Sequence, residues 1–226
     1  MARKKLKRFA QLPLLPNFRG RDQVGPGGAW VARHFGTERP LILELGCGKG
    51  EYALALAARF PDRHVLAVDR KGDRLWCGAT AALRQGLDNV VFLRTDALDL
   101  TLFLDPGQVE TIWLPFPDPL PRRRHAKHRL LSASALEEFR RVLRPGGTVH
   151  LKTDDAGLWE TTREALAASG GRVVAASSDI YAEAGLDPLV YVSTTFERRH
   201  LQQGKRIRYL AFTLDGPGVT GVGGVA

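Results

Sequence analysis

The chain has 226 residues, 44% of them hydrophobic, enough for one sizeable domain with a packed core. Its longest apolar runs fall well short of the ~18 residues of a membrane span, and its basic start lacks the apolar stretch of a secretory signal. The net charge of +9 is uneven: residues 1–39 hold nine cations against two acids, and residues 122–129 hold five cations and no acid. Two concentrated basic segments on a slightly acidic body point to a polyanionic partner.

Residues 1–28 mix prolines, glycines and cations without periodicity. They read as a basic arm, flexible or ordered only by docking or by RNA. From Pro40 onward apolar runs alternate with helical patterns. Leu41–Leu45, Arg63–Asp69, Asn89–Asp96, Val109–Leu114 and Thr148–Asp154 suit buried parallel strands. Between them, Glu51–Phe60, Asp73–Gly86 and Ser132–Leu143 predict helices, as does Ala156–Ser169 further on. Pro145-Gly146-Gly147 turns the chain after the third, and the Ser132/Ser134 pair caps its start. Two late strands fall near Arg172–Ser177 and Arg206–Leu214. The order implies a doubly wound α/β sheet in one domain, residues 29–215, followed by a glycine-rich tail, 216–226, expected to be disordered. Cys47 and Cys77 lack metal-ligand spacing, and no Cys or Glu cluster completes a site around His125 and His128, so no metal is expected. Two cysteines and no span or leader imply a reducing, cytoplasmic setting.

In such a sheet, ligands bind beyond the carboxyl ends of the strands, where this sequence places Glu44, Asp69, Asp96, Asp118 and Asp154. Glu44-Leu45-Gly46-Cys47-Gly48-Lys49-Gly50 is a glycine turn in which Gly46 and Gly48 let the backbone approach a ligand. The dinucleotide pattern G-x-G-x-x-G fails, because Glu51 stands at its third glycine and would repel a pyrophosphate. Acid-x-Gly-x-Gly-x-Gly instead resembles the first motif of S-adenosylmethionine-dependent methyltransferases, whose cofactor carries a sulfonium and no phosphate. Asp69 is then placed to accept from two ribose hydroxyls, and Asp96 from the adenine amine.

Phe116-Pro117-Asp118-Pro119-Leu120-Pro121-Arg122-Arg123-Arg124-His125-Ala126-Lys127-His128-Arg129 is the most specific stretch: a carboxylate fixed between prolines, then a basic run. It is similar to the Phe-Pro-Asp-Pro-Trp-Pro-Lys-Lys-Arg-His-x-Lys-Arg-Arg segment of the bacterial tRNA (guanine-N7-)-methyltransferases, class I S-adenosylmethionine-dependent enzymes. Thr153-Asp154, Thr194-Thr195-Phe196-Glu197 and Gly204-Lys205-Arg206-Ile207 add to the resemblance, which runs from about Trp30 to Leu214.

That resemblance implies a Rossmann-like, mostly parallel seven-stranded sheet with one antiparallel strand. It also implies methylation of guanine N7 at position 46, in the tRNA variable loop. Glu44, Gly46, Gly48, Asp69, Asp96 and Asp118 would line the cofactor, and Asp118 would be the catalytic carboxylate facing the guanine. Arg122, Asp154, Thr194, Thr195, Phe196 and Glu197 would hold the substrate. Arg123, Arg124, His125, Lys127, His128 and Arg129 would contact RNA. The implied partner is tRNA, with no membrane and no obligate protein partner, for a monomer or homodimer. The alternative is an S-adenosylmethionine-dependent methyltransferase of another RNA or DNA base. Three departures from the family pattern stand out: Asp69 for Glu, Leu120 for Trp and Arg122 for Lys, the last exchanging a point charge for a planar fork.

Overall fold

A computed structural model describes residues 2–119 and 130–214. In chain order they form α1 (Ala2–Gln11), β1 (Phe18–Gly20), α2 (Ala29–Phe35), β2 (Leu41–Leu45), α3 (Glu51–Arg59), β3 (His64–Asp69), α4 (Gly72–Gln85) and β4 (Val90–Arg94). Then follow β5 (Val109–Pro115), α5 (Ala133–Val142), β6 (Leu143–Thr153), α6 (Ala156–Ser169), β7 (Arg172–Ser177), α7 (Thr195–Gln202) and β8 (Arg208–Thr213).

The strands make one sheet in the order β1-β4-β3-β2-β5-β6-β8-β7. All pairings are parallel except those of β8 with β6 and β7. The expected mostly parallel, doubly wound sheet with a single reversed strand is therefore present. β2 is buried along its whole length, as a strand covered by helices on both faces must be. One face packs Trp30 of α2, Phe139 of α5 and Leu158 of α6. The other packs Tyr52 and Leu56 of α3, Leu75 and Ala79 of α4, and Ile180, Val190 and Leu201 from the segment before and within α7.

Two expectations change. The sheet has eight strands, because Phe18–Gly20 adds a parallel strand beside β4, with Phe18 opposite Phe92. α1 packs against α4 and Phe18–Gly20 joins the sheet, so this stretch docks onto the domain. Leu12 and Phe18 are buried, and Asn17 ties both neighbours: its Nδ2 donates to the Ala79 carbonyl at 3.0 Å, and its carbonyl accepts the Phe92 N–H at 2.9 Å. Leu12 and Phe18 flank a stretch in which Pro13 and Pro16 break any helical or strand period, so they leave no periodic signal. Second, Pro145-Gly146-Gly147 does not precede the fifth strand but sits inside β6. Val109 pairs with Leu143, then Thr111 with Thr148, so Arg144–Gly147 bulge outward, with Gly146 at φ 73°. Residues 215–226, including the tail expected to be disordered, lie outside the described residues. Among the described residues no helix is long and apolar enough to cross a membrane.

Candidate active site

Strand order reverses between β2 and β5, the place where a doubly wound sheet opens a crevice. Glu44 lies near the end of β2, Asp69 ends β3, Asp96 follows β4 and Asp118 follows β5. These four strands are adjacent and parallel, so their acids converge on one rim of the sheet.

The glycine turn leaves β2 toward α3 with Gly46, Gly48 and Gly50 all at positive φ, between 57° and 74°. A Cβ on Gly50 would stand 2.6 Å from the Phe92 ring and 3.3 Å from the Gly78 Cα, so the turn lies hard against α4. Asp69 staples it: one carboxylate oxygen accepts the Gly48 N–H at 2.9 Å, the other the Lys71 N–H at 2.8 Å. Asp96 is more open. It accepts the Leu98 N–H at 3.3 Å, and Arg70 approaches it to 3.4 Å.

Glu44 differs from both. It is 1% exposed, and its Oε2 has no hydrogen-bond partner among the described residues. Burial drives its pKa well above 4.5; the Ala53 N–H opposes this, and the charges of Asp69 and Glu51 add to it. An orphaned buried carboxylate oxygen calls for a donor or a cation. A sulfonium-bearing amino acid joined to a nucleoside fits this donor set: an unpaired buried acid, a glycine turn open to close approach, and carboxylates following β3 and β4.

Across the crevice, Phe116 carries φ 55°, the only non-glycine residue at positive φ among those described. Strain of this kind persists only where surroundings enforce it. Here the Phe116 N–H donates to the Lys152 carbonyl at 2.8 Å. Pro117 is buried behind it, and Asp118 is exposed. Leu130 returns to the glycine turn, its side chain 4.0 Å from where a Cβ on Gly46 would be. Arg122, Arg123, Arg124, His125, Lys127, His128 and Arg129, with Leu120, lie outside the described residues.

The remaining candidates gather at α7. Asp154 follows β6, and its Oδ2 meets His200 Nδ1 at 2.7 Å and Lys205 Nζ at 2.6 Å. Burial pushes its pKa up, but the hydrogen bonds and charges of Lys205 and His200 outweigh that and hold it below the usual range. Thr194 caps α7 by accepting the Glu197 N–H at 3.1 Å, while Glu197 accepts the Thr194 N–H at 3.3 Å, a capping box. Thr195 gives its N–H and its hydroxyl to the Glu51 carboxylate. Phe196 is 45% exposed, stacked on His200 at 4.1 Å and 5.2 Å from the Phe116 ring. Glu197, by contrast, is fully buried against Lys152 at 2.9 Å.

Sequence reasoning passed over Lys152, His200, Tyr181 and the capping role of Glu51. The signals existed: a Thr-x-x-Glu capping pattern, and one lysine inside an otherwise buried strand, which demands a buried acid.

The family profile described as "Putative methyltransferase" matches residues 38–210. A tRNA (guanine-N(7)-)-methyltransferase of Bacteroides thetaiotaomicron is 37% identical, covering 97% of this chain and 89% of its own. One of Cytophaga hutchinsonii is also 37% identical, covering 94% and 98%. One of Lactococcus lactis subsp. cremoris is 33% identical, covering 80% and 82%. Among solved structures, a 16S rRNA (adenine(1408)-N(1))-methyltransferase from Catenulisporales acidiphilia with cosubstrate SAM aligns with a TM-score of 0.59 at 19% identity, covering 84% and 92%. A SAM dependent methyltransferase from Aquifex aeolicus aligns at 0.54 and 17%, covering 92% and 97%; at such identities the likeness is one of fold. Sequence identity over nearly the whole chain, joined to acids on four adjacent strands and the Phe-Pro-Asp-Pro turn, places this chain in the tRNA (guanine-N(7)-)-methyltransferase family.

Proposed function

We propose that this protein methylates N7 of guanine in tRNA, at position 46 of the variable loop, using S-adenosylmethionine, in the cytoplasm and without an obligate protein partner. The observation that carries the reading is the pairing of the orphaned Glu44 and the glycine turn with a strained Phe116-Pro117-Asp118 turn directly across the crevice. When bound, S-adenosylmethionine supplies a methyl group on a sulfonium.

Guanine N7 offers a free lone pair and carries no proton, so no general base is needed at the nucleophile. Alignment, exclusion of water and accommodation of the charge that develops on the purine are what remain. Asp118, exposed at the mouth, is suited to accept hydrogen bonds from guanine N–H groups, which become more acidic as the ring turns cationic. Phe196 offers an exposed ring beside Phe116 for the base, and Asp154 a carboxylate already oriented by His200 and Lys205. N7 lies on the Hoogsteen edge, so the base must leave its tertiary pairing to react. The run Arg122–Arg129 carries five cations suited to grip the displaced RNA, and Lys5 and Lys7 on α1 are exposed.

The test is methyl incorporation into unmodified tRNA, followed by nuclease digestion and mass spectrometry. 7-methylguanosine at position 46 is the expected product. Methylation of an exocyclic amine, or none, overturns the reading.

A further inference from the structure

We infer that Lys152 is a positioning residue, which through its buried pair with Glu197 clamps the Phe116–Asp118 turn and the N-terminus of α7 into one wall of the site. The inference rests on the methyltransferase reading and adds to it a residue that touches neither substrate nor cofactor.

Both charged side chains are 0% exposed. Lys152 Nζ donates to the Glu197 carboxylate at 2.9 Å and to the Val192 carbonyl at 3.0 Å, which ties down the strand of chain entering α7. It also lies 5.5 Å from the Tyr52 ring centre and 5.8 Å from that of Phe116. Glu197 takes a further hydrogen bond from the Tyr181 hydroxyl at 3.0 Å. The backbone of Lys152 completes the arrangement, because its carbonyl holds the N–H of Phe116. One residue thus grips the strained turn from two sides: by its main chain at the Phe116 amide, and by its ammonium under the Phe116 ring. The same ammonium, through Glu197 and the Thr194 cap, sets where Phe196 stands.

A buried ion pair is a poor device for stability alone, since desolvation roughly cancels the attraction. Burial indeed pulls the Lys152 pKa down, against the upward pull of Glu197. What the pair supplies is orientation. The Lys152 ammonium holds Val192 and Glu197, while the carbonyl of the same lysine holds Phe116, so two stretches remote from Lys152 in sequence, Phe116 and Val192–Glu197, are joined beside the site. On this view Glu197 supports the substrate wall from behind, rather than facing the substrate.

The test uses the full chain and separates support of the fold from support of the site. Single substitutions leave a buried charge unpaired and are expected to unfold the protein partly. The charge-free pair Lys152→Met/Glu197→Leu removes that penalty. It should melt within a few degrees of the parent while kcat for tRNA methylation falls at least tenfold and KM for tRNA stays within threefold. Hydrogen exchange over Phe116–Asp118 should accelerate at least tenfold. Tyr181→Phe, a mild change at a half-exposed residue, should lower kcat several-fold with an unchanged melting temperature. A folded double variant with parental exchange, or with kcat within threefold of the parent, overturns the inference; so does an unaffected Tyr181→Phe if the double variant does not fold. If the parent fails to methylate tRNA, the functional reading falls, and exchange at Phe116–Asp118 still decides whether the clamp exists.

Discussion

The Thr195 N–H donates to the Glu51 carboxylate at 2.7 Å, across 144 positions of chain. Glu51 opens α3 directly after the glycine turn, so the glycine-turn side of the crevice is tied to the helix that carries Phe196 and His200. The residue that breaks the dinucleotide pattern serves here as the acceptor for a helix N-terminus. Glu51→Ala should cost about 1 kcal/mol in urea unfolding. Glu51→Gln, which keeps one acceptor, should cost roughly half as much.

Asp118→Asn should lower methyl transfer to tRNA by about a hundredfold or more, the scale of a positioned acid. Retention of activity within about threefold rejects a direct role in the chemistry.

Glu44 makes a pH prediction. Its folded-state pKa is raised, so its contribution to stability is complete below the ordinary value of 4.5 and is lost as pH rises through the raised one. Glu44→Gln should therefore melt higher than the cofactor-free parent at pH 8, with the gap closing toward pH 4. Calorimetric titration of the same variant should show weakened S-adenosylmethionine binding.

His150 acts in the opposite direction. It stacks on Trp113 at 4.1 Å, its Nδ1 meets the Tyr209 hydroxyl at 2.7 Å, and burial pulls its pKa from 6.5 to about 4 against the opposing charge of Asp187. The unfolded chain takes up the proton first, so stability falls as pH drops from 6.5 toward 4. His34, also lowered to about 4, adds to the same decline. Thermal melts of His150→Gln across that range should show a shallower loss than the parent.

Reversing the charge of Arg123 and Arg124 should weaken tRNA binding at least tenfold and reduce its dependence on salt, as follows from the proposal that both grip phosphates. S-adenosylmethionine affinity should hold. Filter binding at several salt concentrations, with calorimetry for the cofactor, measures both.

The strands and the rim acids were legible in the sequence because each rests on a local rule: a short apolar run, then a carboxylate. Periodicity also exposed α3 to α6. What escaped was set by contacts remote in sequence. β1 is three residues long and exists only because β4 offers it an edge. The Lys152–Glu197 pair joins residues 45 positions apart: a lysine in a buried strand calls for an acid, but nothing local says which. Thr194–Glu197 matched a substrate block by resemblance; its Thr-x-x-Glu capping box is local, while the burial of Glu197 is a tertiary fact. Pro145-Gly146-Gly147 reads locally as a terminator, whereas pairing with β5 resumes beyond it after a shift of register, which leaves Arg144–Gly147 as an excursion within β6.

The pairing of Phe18 with Phe92 also orders events at the ribosome. Phe18 is synthesised about seventy residues before the strand it must lie beside, so the nascent N-terminus waits while β4 emerges. Until it docks, β4 presents a bare flank of amides and carbonyls to other nascent chains. Trimming the first twenty residues as a dispensable leader would make that transient hazard permanent, and soluble yield would register the damage before any catalytic assay.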